Sequence, residues 1–349
     1  MKRYLFVLIL ALSALYMGCS EVHEFPGLAD TPKRKAQVSI SLNLDLSTDL
    51  PIHQILDLRT EMGSEVATLY DLRHTISIHK AYTDGSYRRE ADTVIVVTEP
   101  VNSVEHTVQL EIDEGLYNIL VWTDYVDAGQ SADKYYNTTD LSEIILMHKE
   151  DYVGNNHYRD AFRGSQLFEV SADVSDNRTT ITVDRPLARF EFISTDYEAF
   201  VDEIVRKSLQ MDSAADVEQI TKNIRLEDYK AVIYFSGYMN CSYNIFTDHP
   251  SDAWTGIKFE NQLSALEDGN IWLGFDYMFV GSSDSIVAVW IEAYDKNGAK
   301  ISTSPVIDIP LLRNKRTVIK GEFLTSQSSG GVKIDPGFEG DHNVPIIIN

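Results

Sequence analysis

From Val38 to Leu46 hydrophobic and polar residues alternate without a fault. Val38, Ile40, Leu42, Leu44 and Leu46 fall on one side, and Ser39, Ser41, Asn43 and Asp45 on the other. Successive side chains of a strand point to opposite faces, so this period predicts a half-buried β-strand and not a helix. Val104–Asp113 repeats it, with Val108, Leu110 and Ile112 set against Thr107, Gln109 and Glu111. Glu114–Gly115 then turns the chain into Leu116–Trp122, a run apolar on both sides, as a central strand requires. Leu72–Tyr82, Thr93–Thr98, Gln166–Ser171, Thr179–Val183 and Leu187–Ile193 read as further strands. Their hairpin-like spacing favours an antiparallel sandwich over alternating strands and helices.

One segment departs from this period. Thr195 and Glu198 have the spacing of a capping box, and Phe200, Val201, Ile204, Val205 and Leu209 follow on one helical stripe. A short helix is predicted there, near the join of two domains, with Met211–Glu227 as a connecting loop containing some helix. Strands resume at Tyr229–Ser236, Asn240–Phe246, Ile271–Val280, Ser285–Tyr294, Ala299–Ile309 and Arg316–Thr325. Asp295–Lys296–Asn297–Gly298 carries the Asn-Gly signature of a tight hairpin.

The two ends differ from this body. Met1–Lys2–Arg3 followed by the apolar run Tyr4–Met17 has the charge and length of a secretory signal. The run closes on Gly18–Cys19–Ser20, which resembles a bacterial lipobox with Cys19 as the lipid acceptor. Residues 20–35 show no apolar period and read as a flexible tether, and Ser326–Gly331 has linker composition ahead of a tail rich in Val and Ile. The expected plan is a signal peptide over 1–18, a tether over 19–35, sandwiches over 36–195 and 196–325, and a tail over 326–349. Ser20 after the cysteine lacks the Asp of inner-membrane retention, so the outer membrane is the expected address, with the body exposed at the cell surface.

Composition narrows the functions open to this body. Acidic residues outnumber basic ones 53 to 30 in 349 residues, a formal net charge of −23 that would repel a nucleic-acid backbone. Two cysteines make neither a disulfide scaffold nor a Cys-ligated zinc site. There is no phosphate-binding glycine loop, no Gly-x-Ser-x-Gly elbow and no His-Glu-x-x-His. His74 and His79 belong to one strand but opposite faces, so they cannot share a metal and read as partly exposed strand histidines. Cys241 reads as a small core residue. No enzyme chemistry and no cofactor is expected.

The most function-like stretch is Thr123–Gly164, where Asp124, Asp127, Asp133, Asp140, Asp151 and Asp160 are interleaved with Tyr125, Tyr135, Tyr136, Tyr152, Tyr158 and Phe162. Aromatic faces beside carboxylates suit sugars, and clustered oxygens suit calcium. Tyr125, Tyr135, Tyr136, Asp124 and Asp127 are the candidate ligand-binding residues; a solvated structural loop explains the same composition.

Four stretches together carry a resemblance: Leu116–Tyr125 (LYNILVWTDY), Asp160–Gly164 (DAFRG), Arg185–Phe192 (RPLARFEF) and Ile309–Thr325 (IPLLRNKRTVIKGEFLT). They resemble the Bacteroidales fimbrillin-like lipoproteins, which include type V pilus subunits, their membrane anchors and related surface proteins. The resemblance implies two tandem transthyretin-like β-sandwiches, a lipidated precursor, other fimbrial subunits as partners, and assembly by exchange of a β-strand in support of adhesion. It also implies Arg59 as the protease-processing site if the first strand is removed. The alternative is a surface glycan-binding lipoprotein of a polysaccharide uptake system, working through the tyrosine- and aspartate-rich stretch.

Overall fold

Val38, Ile40 and Leu42 of the first alternating segment are almost wholly buried, and the strand they form sits in the middle of a sheet. The computed structural model describes residues 34–44, 70–97, 105–283, 285–326 and 332–335. Cys19, Arg59, the signal peptide and the end of the tail lie outside the described residues.

The first part of the chain runs β1 (Lys35–Leu44), β2 (Tyr70–Ala81), β3 (Tyr87–Val97), β4 (Glu105–Asp113), β5 (Gly115–Asp127), β6 (Tyr136–Asn137), β7 (Ile144–Leu146), β8 (Ala161–Val170), β9 (Asn177–Val183) and β10 (Leu187–Ser194). Two helices follow, α1 (Tyr197–Met211) and α2 (Val217–Lys222). The second part runs β11 (Tyr229–Phe235), β12 (Tyr238–Asn244), β13 (His249–Thr255), β14 (Lys258–Gln262), β15 (Ser264–Ala265) and β16 (Ile271–Phe279). It closes with β17 (Ser285–Asp295), β18 (Lys300–Thr303), β19 (Ile307–Leu311), β20 (Arg316–Gly321) and β21 (Val332–Asp335).

These strands make two sandwiches on one plan. The first packs sheet β4-β1-β9 against β3-β2-β5-β8, and residues from both sheets, including Ile40, Ile76, Ile119 and Val183, form its core. The second packs β15-β16-β10-β20-β21 against β14-β11-β17-β18, with β19 also on β17. In each, the opening strand lies between an antiparallel neighbour and a parallel one. β1 runs antiparallel to β4 from Lys35↔Asp113 to Asn43↔Glu105 and parallel to β9 from Val38↔Asn177 to Leu44↔Val183. β10 does the same with β16 and β20. The fold is mainly β and sandwich-like as the alternation predicts, and the expected antiparallel order holds except at these two strand pairs.

Two expectations need correction. β10 is the opening strand of the second sandwich, so the chain changes sandwich between β9 and β10, ahead of the helix and not at residue 195. All eight residues of β10 are buried, which fits a central strand covered on both sides. The helix itself is present, fifteen residues in α1, but it has no capping box. Its N-cap is Asp196, whose carboxylate makes no bond to its own helix. That carboxylate instead accepts from Leu324 N at 3.1 Å, Thr325 N at 2.8 Å and Thr325 Oγ1 at 2.7 Å, tying the far end of the sandwich to its first strand.

Only Phe200 of α1 is buried, so the helical excursion lies on the surface of the second sandwich, with Met211 91% exposed. A protease should therefore cut first between the two helices, at residues 212–216. Because β10 precedes that cut and stays paired with β16 and β20, the two fragments should co-elute under native conditions and separate only in denaturant. A first cut inside Leu116–Trp122, or fragments that separate without denaturant, would contradict this architecture.

Candidate functional site

The Thr123–Gly164 stretch is the connection from β5 to β8, and it leaves the first sandwich to join the second. β7 pairs antiparallel with β12 at Ser242↔Ile145 and Tyr243↔Ile144, giving a sheet β13-β12-β7-β6 built from both halves of the chain. The alternation along β5 points Ile119, Val121 and Tyr125 into the first core and Leu120 and Trp122 into the second. Trp122 is fully buried, edge-on to Tyr136 at 5.2 Å and tilted against Phe279 at 6.2 Å. The joint between the sandwiches is therefore a packed core.

Its polar groups are buried and paired. Arg73 on β2 grips Asp124 on β5 with Nε at 2.9 Å and Nη2 at 2.7 Å, while Nη1 reaches Asp133 at 2.8 Å. Burial pushes the Asp124 carboxyl up to about 6, and the two-point contact with Arg73 opposes that rise. Asp160, fully buried, accepts from Arg185 Nε at 2.9 Å, and the same guanidinium lies 4.6 Å over the Phe162 ring. Arg159 Nη1 donates to Asp276 at 2.6 Å and to the Tyr152 hydroxyl at 2.6 Å, and that hydroxyl donates to the other Asp276 oxygen at 2.5 Å. Burial raises the carboxyls of Asp160 and Asp276, and the facing arginines work to keep them ionised. Nearer the surface Asp248 holds Arg313 at 2.8 Å and Arg163 at 2.7 Å, and accepts from the Tyr243 hydroxyl at 2.6 Å.

This arrangement separates the five candidate residues. Asp124, Tyr125 and Tyr136 are at most 5% exposed and offer almost no surface to a ligand. Tyr125 packs edge-on against Tyr158, which stacks on Tyr70 at 3.6 Å, and the Tyr136 hydroxyl donates to the Arg159 carbonyl. Tyr135 is half-buried, and Asp127 is exposed and paired with Lys134. Among the described residues no group of three or more His, Cys, Asp or Glu side chains could hold a metal ion.

Both strand histidines are buried and not partly exposed. His74 Nδ1 lies 2.8 Å from Thr123 Oγ1, and His79 Nε2 lies 2.9 Å from Ser77 Oγ while its ring meets Phe246 edge-on. His74 lies on the face of β2 that fills the first core, beside Leu72 and Ile76, whereas His79 is on the opposite face and is covered by Phe246 from the second half of the chain. Cys241 is buried in the second core. What sequence reading misses is the arginines. Arg73, Arg159 and Arg185 come from separate elements, and nothing local marks their carboxylate partners. A signal was nonetheless present: Asp124, Asp160, Arg163, Arg185 and Arg313 all lie in the four stretches that carry the fimbrillin-like resemblance, and those stretches converge on this joint.

A model of a family of unknown function, DUF6562, matches residues 31–347. The chain belongs to that family. No curated protein matches it. Among solved structures, the DUF6562 chain is similar to a Bacteroides thetaiotaomicron protein named for inferred polysaccharide binding (DUF1812). That match has a TM-score of 0.47 at 10% identity over 86% of this chain and 96% of that one. It is similar to the fimbrial anchor protein Mfa2 from Porphyromonas gingivalis, at TM-score 0.42 and 12% identity, over 82% of this chain and 90% of that one. A fimbrial assembly protein from Parabacteroides distasonis matches at TM-score 0.36 and 10% identity, over 86% and 94% of the two chains.

Removing one partner of a buried ion pair leaves the other charge stranded, so Asp160→Ala should lower the unfolding free energy by roughly 3–5 kcal/mol. Asp127→Ala, which breaks an exposed pair, should cost less than about 1 kcal/mol. Urea denaturation measures both, and equal effects would refute the structural role given to the joint. A pH signature should accompany it. Burial, with the nearby Arg189, pushes His157 from its ordinary 6.5 down to about 4. A depressed histidine supports the fold fully above 6.5, and that support is lost as pH falls towards 4. His157→Phe keeps a ring against Phe275 and should flatten the stability profile across that window; an unchanged slope would sink this account.

Proposed function

We propose that the chain is a lipid-anchored outer-membrane subunit or anchor of a fimbria, assembling through β-strand exchange and supporting adhesion, without enzymatic activity. The observation that carries this reading is the position of β1. It follows directly on the tether and is the middle strand of its sheet, with Val38, Ile40 and Leu42 filling the first core. A chain cut after Arg59 would lose that strand and leave unpaired backbone and an apolar groove between β4 and β9, which is what a donated strand can fill. A chain that keeps β1 retains its lipid and can serve as an anchor. We favour the anchor, because lipid on Cys19 remains useful only while β1 stays attached. At the other end, β21 pairs with the outer edge of β20 from Val318↔Asp335 to Gly321↔Val332, so this part of the tail lies on its own domain. The donor role is assigned to residues 336–349, which end in Val344 and Ile346–Ile348. No helix among the described residues is long and apolar enough to cross a membrane.

A fatty-acid probe should label the wild-type protein in cells and not Cys19→Ala, and intact mass should give a chain beginning at lipidated Cys19. A chain beginning at Thr60 would replace the anchor by a cleaved subunit. Deleting His342–Asn349 should abolish co-purification with other fimbrial subunits. Unchanged co-purification would remove the donor role, and absence of any fimbrial subunit from the wild-type preparation would overturn the reading.

A further inference from the structure

Beside the joint two cavities, of about 540 Å³ and about 260 Å³, share Asp151, Tyr152 and Val153 as a common wall. The larger lies within the size range of small-molecule sites and is completed by the edge strand β14 with Lys258 and Glu260. The smaller is completed by Tyr135, His148, Asn156 and Arg159. We infer that this cleft is a binding site for an uncharged oligosaccharide, distinct from the strand-exchange surfaces and independent of the fimbrial reading.

Three observations carry it. First, the wall has polar groups to spare. Asp124, Asp133 and Asp160 hold cations within the joint and Asp127 holds Lys134 at the surface, whereas Asp151, Glu150 and Lys149 make no ion pair or hydrogen bond among the described residues. Arg159 closes the floor of the smaller cavity, its Nη1 already committed to Asp276 and the Tyr152 hydroxyl. Second, the wall is aromatic and apolar between those groups. Tyr135 and Tyr152 line it, Trp254 lies edge-on to Tyr152 at 6.4 Å under Lys149, and Val153 is 64% exposed. A pyranose offers apolar C–H faces to such rings and hydroxyls to the carboxylate, amide and guanidinium. Third, the charges balance: Glu260 is held by Lys230, and the remaining Lys149 and Lys258 stand against Glu150 and Asp151, so the cleft carries no net charge to select an anion or a cation.

The test is calorimetric titration of the full chain. The neutral probes are maltoheptaose, cellohexaose, xylohexaose and mannohexaose; hexagalacturonate and chitosan hexamer serve as charged probes. We expect at least one neutral oligomer to bind. Asp151→Ala, at an exposed position that cannot unfold the joint, should weaken it by about tenfold or more, and Tyr135→Ala likewise. Tyr238→Ala, on an exposed tyrosine outside the cleft, should leave binding unchanged. Failure of all four neutral oligomers to bind would overturn the inference, as would affinity unaffected by Asp151→Ala. Preference for a charged oligomer would overturn its neutral character. Binding of a random peptide library in place of every sugar would reassign the cleft to peptide. None of these results bears on whether the chain enters a fimbria.

Discussion

An ionised carboxylate removed from water costs several kcal/mol unless a cation and further donors meet it. The joint of this chain buries Asp124, Asp160 and Asp276 almost completely, each against an arginine from another element. That requirement organises much of the rest. Arg73 ties β2 to β5, Arg185 ties the start of the second sandwich to the end of the excursion, and Arg159 ties the excursion to β16. Swapping such pairs for apolar side chains need not cost stability, but stranding one partner does. The Arg159 and Arg185 pairs therefore help to fix where the second sandwich meets the excursion, and Arg73 holds the excursion's Asp133 to the first sandwich, while Trp122, Tyr136 and Phe279 supply the apolar contact.

The period-two alternation made most strands legible, because a half-buried sheet writes its orientation into neighbouring residues. β1, β4 and β5 come from segments read as strands, and the Asn-Gly hairpin after β17 appears with Gly298 at a φ of 78°. Parallel pairing of β1 with β9 was not legible, since pairing partners far apart in sequence leave no local mark. The capping box at Thr195 failed because the helix opens one residue late: its N-cap is Asp196, which puts Glu198 at the second helical position and out of register with Thr195. The Asp196 carboxylate is held by the amides of Leu324 and Thr325, far along the chain.

The candidate site was legible as a composition and misread as a surface. Aspartates and tyrosines interleaved over Thr123–Gly164 look the same whether they face water or a second domain. What distinguishes them is the arginines from β2 and from the residues flanking β10, which a linear reading has no means of bringing together. The four stretches that carry the resemblance supply Asp124, Asp160, Arg163, Arg185 and Arg313 of the joint. Strand and turn sequences thus carried more information about the joint than about any ligand.

The placement of β1 has a mechanical meaning. Ladder hydrogen bonds lie across a strand, so a pull along its axis strains the whole ladder at once, whereas peeling from one end breaks the bonds singly. β1 is bonded on both sides, to β4 over Lys35–Asn43 and to β9 over Val38–Leu44. A pull applied to Lys35 along that axis would be shared by two ladders in shear. An edge strand in the same position would be held by one ladder alone and would resist with about half as many bonds at a time.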